Sequence, residues 1–123
     1  MKLEFTESEA KAIREFGNAM IDKTAKETWA AKYNLLNSVM ESINVTEDGK
    51  HKTANEDLFE VAKSMSAEKK KCLFSLLSVI NFSGSNEKLS EFLFQCMLTL
   101  GLPEVNYVEA RAIVEEYVGK LEF

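Results

Sequence analysis

Hydrophobic residues recur along the chain every three or four positions, which is the spacing of one face of an α-helix. The first two stripes are formed by Ile13, Phe16 and Met20, and then by Trp29, Tyr33, Leu36, Met40 and Ile43. Leu35 and Val39 widen the second stripe, so we expect this helix to contact neighbours on more than one side. The polar segment at residues 22–24 leaves open whether the two stripes are separate helices or one bent helix.

The later stripes predict four more helices. A third helix is expected to begin near Thr53 or Asn55, and a fifth to be capped by Ser85 or Asn86. Between them, residues 72–82 are apolar nearly all round, which predicts a central buried helix. A last stripe lies at residues 110–118. The pattern therefore predicts an all-α bundle of about six helices in a single domain, residues 1–123.

Helix ends are marked by residues that satisfy free backbone groups. Thr6 with Glu9, and Asn106 with Glu109, have the spacing of capping boxes. Ser66 is placed to end one helix and cap the next. Gly101 suits the left-handed position that follows a helix end.

Two segments of the chain resemble each other. Gly49 and Gly84 are each followed, seven residues later, by a glutamate (Glu56, Glu91), and nine and ten residues later by a Leu-Phe pair: Leu58-Phe59 in the first segment and Leu93-Phe94 in the second. This echo indicates a duplicated helix–loop–helix unit.

Composition narrows the class of partner. The net charge is −5, with 20 acidic against 15 basic residues, and an acidic surface repels nucleic acid and anionic membranes. No apolar run approaches the roughly 18 residues of a membrane span. The two cysteines, Cys72 and Cys96, lie in apolar stretches and are expected to be buried thiols. We therefore expect a cytoplasmic protein that binds neither nucleic acid nor membrane.

The first loop was tested as an ion site. With Gly49 at position 6 of a calcium loop, Asn44, Thr46 and Asp48 take positions 1, 3 and 5, but the carboxylate Glu56 falls one residue late. No nucleophile–base pair or glycine-rich phosphate loop is apparent elsewhere, so no enzyme activity and no cofactor is predicted. A divalent cation at the Asp48 loop remains an alternative.

Three consecutive bulky residues point to a contact surface. Phe92, Leu93 and Phe94 cannot share one face of a helix, so either Phe92 or Phe94 must face away from the main stripe. Leu35 and Val39 raise the same possibility on the second helix. These four residues are the candidate contacts with a protein partner or with a second copy of the chain.

The loop pattern resembles the TerB-like (tellurite-resistance) family. The matching segments are residues 43–49 through Glu56 to Met65, and residues 79–84 through Glu91 to Leu102, within a resemblance that covers about residues 30–118. It implies a helical fold with an internal pseudo-twofold repeat, and divalent-metal binding through Glu47, Asp48 and Glu56, although the second loop has Ser83 in place of an aspartate.

The function predicted from these observations is a small, non-catalytic protein that acts through protein–protein interaction and, by the resemblance, is linked to stress. The alternatives are a divalent-cation binder that uses the Asp48 loop, and a regulator from a mobile element that masks a partner with its acidic face.

Overall fold

The computed structural model describes residues 3–46, 57–83 and 90–119. The elements, in chain order, are β1 (Glu4–Thr6), α1 (Glu7–Asp22), a 3-10 turn (Lys26–Thr28), α2 (Trp29–Ser42), β2 (Asn44–Thr46), α3 (Leu58–Ser64), α4 (Ala67–Phe82), α5 (Glu91–Leu100) and α6 (Tyr107–Val118). The prediction of an all-α bundle of about six helices is confirmed, with a small parallel sheet added to it.

Helix α4 is the centre of the bundle. Every residue from Cys72 to Asn81 is buried, as the all-round apolar pattern predicts. α1, α5 and α6 all pack against α4, and α6 makes the most extensive contact. Ser66 caps α4 by accepting a hydrogen bond from the Lys69 N–H, as predicted. No helix among the described residues has the length and hydropathy needed to cross a bilayer.

The start of α1 is tied to the start of α4 by one carboxylate. Glu9 Oε1 accepts a hydrogen bond from the Thr6 N–H at 2.9 Å, while Thr6 Oγ1 accepts one from the Glu9 N–H at 3.1 Å, which confirms the predicted capping box. The same Glu9 oxygen lies 2.7 Å from the Lys69 Nζ. Lys69 Nζ also lies 5.5 Å from the centre of the Phe5 ring.

The first two helices are separate. α1 ends at Asp22, and the chain passes through the 3-10 turn before α2 begins at Trp29. The indole N–H of Trp29 donates to the Thr24 carbonyl at 3.0 Å and holds this corner together.

The parallel pair of β1 and β2 was not predicted. Glu4, Phe5 and Thr6 pair with Asn44, Val45 and Thr46, respectively. Strands of three residues are too short to show the alternation of apolar and polar residues that marks a strand, and the two paired segments are about 40 residues apart in the sequence. Phe5 is fully buried, whereas all three β2 residues are exposed.

α3 and α5 each begin at a polar side chain that caps the helix. α3 begins after Asp57, whose side chain accepts a hydrogen bond from the Phe59 N–H, and α5 begins after Ser90, which accepts one from the Leu93 N–H. The earlier candidates, at residues 53, 55, 85 and 86, lie outside the described residues. Several polar residues precede each helix, so the sequence offered competing caps.

Candidate functional site

Helix α5 has one face in the core and one face in solvent. Leu93, Cys96 and Leu100 are buried, while Phe94 and Leu98 are 41% and 59% exposed. Residues four apart are neighbours on a helix surface, so Phe94 and Leu98 form one outward apolar pair, which we call the α5 pair. Ser90 and the left-handed Gly101, at φ 68°, fix the two ends of this helix.

Phe92 and Phe94 have different surroundings. Phe92 is half-buried, and its ring centre lies 6.4 Å from that of Phe16 on α1. Phe94 is the residue that faces away from the core, and it has no ring partner among the described residues. Of the two phenylalanines, Phe94 is therefore the one available to a partner.

Leu35 and Val39 are not on the surface. Both are 2% exposed and belong to the core. The widened stripe of α2 packs inside this chain, because α1 lies against it. These two candidate contacts therefore have no exposed side chain to offer to a second protein.

A second exposed aromatic residue lies beside a shallow apolar cleft. Phe59 on α3 is 40% exposed, but its ring meets the Phe16 ring edge-on, with 5.0 Å between the centres. The cleft encloses about 200 Å³ including its opening to solvent, and it is too narrow to hold a water molecule. Its lining consists of Phe16, Phe59, Ala62, Leu73, Leu77, Cys96, Thr99 and Leu100. This space is a packing gap between four helices, with no enclosed room for a small-molecule ligand.

Several glutamates are exposed in the described residues from α5 to α6. Glu91, Glu104, Glu109 and Glu116 are exposed, and Glu115 is partly so. Arg111 donates from Nε to Glu115 Oε1 at 2.9 Å, and this hydrogen bond raises the pKa of the guanidinium. The predicted cap at Asn106 forms: the Asn106 side-chain amide donates a hydrogen bond to the Glu109 carboxylate, and the Asn106 side-chain oxygen accepts one from the Glu109 N–H. In a full capping box the Glu109 carboxylate would accept from the backbone N–H of Asn106 instead.

The predicted cation ligands Glu47, Asp48 and Glu56 lie outside the described residues, as do both glycines of the echo. Within residues 3–46, 57–83 and 90–119, no three His, Cys, Asp or Glu side chains are grouped closely enough to hold a metal ion. Both thiols are buried, and burial raises the pKa of Cys72 to about 12 and that of Cys96 to about 11.

Two notable residues were missed by the sequence reasoning. Leu98 could have been found because it follows Phe94 by four positions, away from the stripe of buried residues on α5. Lys32 is only 3% exposed, and desolvation by burial lowers the pKa of its ammonium. Its position gave a signal too, because it falls three residues after Trp29 and four before Leu36, within the apolar stripe.

Comparison with protein-family models, with curated proteins and with solved structures gave no match for this chain. The TerB-like resemblance therefore stays a prediction from the loop pattern alone.

Proposed function

We propose that this chain is a cytoplasmic, non-catalytic protein of TerB-like type that acts by binding another protein. The observation that supports this proposal is the α5 pair, Phe94 and Leu98, which exposes two large apolar side chains on one face of a well-capped helix. Single exposed apolar residues are ordinary on protein surfaces, whereas large contiguous apolar patches mark interaction sites.

The support lies in the contrast between the two faces of α5. The inward face supplies three buried residues to the core, so the helix is already anchored without Phe94 and Leu98. Each of these two side chains leaves apolar area in water. Because about half of each is exposed, covering one with a partner is worth about 1–1.5 kcal/mol, half the value for a whole side chain.

A binding experiment tests this proposal. The tagged chain is used to retain proteins from a lysate of the organism that encodes it, in parallel with Phe94→Ser and Leu98→Ser. A Tyr33→Ser variant is the matched control, because Tyr33 is an aromatic residue of similar exposure, 37%, on α2. We expect a protein that the wild type and the control retain and that both α5 variants lose.

The same variants are examined by light scattering to detect self-association. A dimer that dissociates in the α5 variants would make a second copy the partner, which is also an interaction through α5. The proposal is wrong if the wild type and the α5 variants retain the same proteins and have the same mass in solution, provided circular dichroism shows that the variants are folded.

A further inference from the structure

The described α5–α6 segment, residues 90–119, carries most of the excess negative charge of the chain. It contains five glutamates, at positions 91, 104, 109, 115 and 116, and one base, Arg111. The whole chain has 20 acidic and 15 basic residues. This segment therefore accounts for four of the five net negative charges, and the rest of the chain is close to neutral.

One of these glutamates borders the α5 pair. Glu91 is exposed and lies three positions before Phe94, which places it on the adjoining part of the helix surface. Arg111 is held at 2.9 Å by Glu115, one turn along α6, so this base is already engaged by a neighbouring acid.

The charge distinguishes between occupants of the α5 pair. A second copy of the chain would bring a net charge of −5 against the same net charge, and like charges repel. Nucleic acids and anionic lipid surfaces are repelled for the same reason. A positively charged protein segment is attracted, and apolar side chains on it would cover Phe94 and Leu98.

Building on the proposed function, we infer that the occupant of the α5 pair is a basic amphipathic segment of another protein. A lysine or arginine of this segment faces Glu91, and its apolar side chains pack on Phe94 and Leu98. The apolar contacts supply affinity and slow dissociation, whereas the charges speed association and make it sensitive to salt.

Two synthetic peptides test this inference with the intact chain. The first is a fluorescein-labelled amphipathic helix of lysine and leucine, and the second is the same helix with glutamate in place of lysine. Fluorescence anisotropy measures their binding at about 50 mM and about 300 mM NaCl, which brackets physiological screening. We expect binding of the lysine peptide alone, weaker by about tenfold at the higher salt.

Variants separate a defined site from general attraction between opposite charges. Phe94→Ser and Leu98→Ser should each weaken the lysine peptide by about tenfold or more, whereas Tyr33→Ser should not. Glu91→Gln should weaken it by a few fold, more than Glu27→Gln, which removes an equal charge from the 3-10 turn.

The outcomes are distinct from those of the lysate experiment. Equal binding of the lysine peptide to wild type and the Phe94→Ser variant overturns the inference, because the attraction is then not centred on α5. Absence of binding to the lysine peptide also overturns it. If lysate capture still depends on Phe94 in either case, the proposed function stands and only the basic character of the partner is wrong. If the wild type is a dimer and Phe94→Ser dissociates it, the occupant of the α5 pair is a second copy of the chain. This result also overturns the inference of a basic segment from another protein.

Discussion

Replacing Gly17 with alanine should destabilise the protein, although helix propensity alone predicts the opposite. Gly17 lies in the middle of α1, where alanine is favoured over glycine by about 1 kcal/mol. In the structure, a Cβ atom on Gly17 would lie 2.7 Å from Leu36 Cδ1 and 2.8 Å from Leu36 Cδ2. Carbon atoms in good contact are about 3.5–4.0 Å apart, so both methyl groups would have to move.

The size of the effect follows from the burial of Leu36. Leu36 is fully buried, so its methyl groups cannot turn into solvent and must displace other core atoms. Overpacking of a well-filled core costs about 1–3 kcal/mol, and two contacts this short favour the upper end of that range. Subtracting the gain of about 1 kcal/mol in helix propensity leaves an expected loss of about 2 kcal/mol in the free energy of unfolding.

Urea denaturation measures this loss, with circular dichroism for the helices and the fluorescence of Trp29 for the α1–α2 corner. The Leu36→Val background is the control, because a shorter side chain removes the clash at a cost of about 1 kcal/mol. In that background, Gly17→Ala should be neutral or stabilising. The interpretation is refuted if Gly17→Ala alone raises the free energy of unfolding by about 1 kcal/mol, as propensity predicts.

Three further predictions concern charge and ionisation. Lys69→Met removes the 2.7 Å ion pair with Glu9 and should lower the free energy of unfolding by about 2 kcal/mol in urea melts at neutral pH; an unchanged midpoint would contradict this. The native chain keeps Cys72 and Cys96 protonated up to pKa values of about 12 and about 11, against 9.0 ordinarily, so unfolding releases protons and stability should fall above pH 9. Once the pH exceeds the native-state pKa values, the loss in free energy of unfolding is about 4 kcal/mol for Cys72 and about 3 kcal/mol for Cys96. In variants with alanine at either position, stability should fall less steeply between pH 8 and pH 10. Burial lowers the pKa of Lys32 from its ordinary value of 10.5, so below that pH the charged ammonium group opposes folding. The Lys32→Met variant should therefore be more stable than the wild type, with a gain in the free energy of unfolding that is largest at neutral pH and shrinks as the pH approaches 10.5.

The parts of the fold that were predictable from the sequence depend on local signals. The cap at Ser66 and the left-handed Gly101 are each set by residues within one helical turn, and both are found as predicted. The buried helix α4 was evident because ten consecutive residues, from Cys72 to Asn81, leave no polar face wide enough for solvent. Signals of this kind require no knowledge of which helices meet.

What could not be predicted depends on which segments meet in space. The glycine at position 17 looked like a weakness in α1, and only the approach of Leu36 shows that a side chain there has no room. Leu35 and Val39 were candidates for a partner surface because a broad stripe can face either a neighbouring helix or another protein. The packing of α1 against α2 decides in favour of the neighbouring helix.

The two Leu-Phe pairs, which resemble each other in sequence, differ in what their phenylalanines contact. Phe59 and Phe94 have nearly equal exposure, 40% and 41%, and in both pairs the leucine is the more buried residue. The repeat therefore preserves which side chain points outward. However, the Phe59 ring meets Phe16 edge-on, whereas Phe94 has Leu98 one turn away and Glu91 beside it. The first Leu-Phe pair thus contributes its phenylalanine to internal packing, whereas the second presents an apolar side chain beside Glu91, and this difference is why we propose the partner contact on α5.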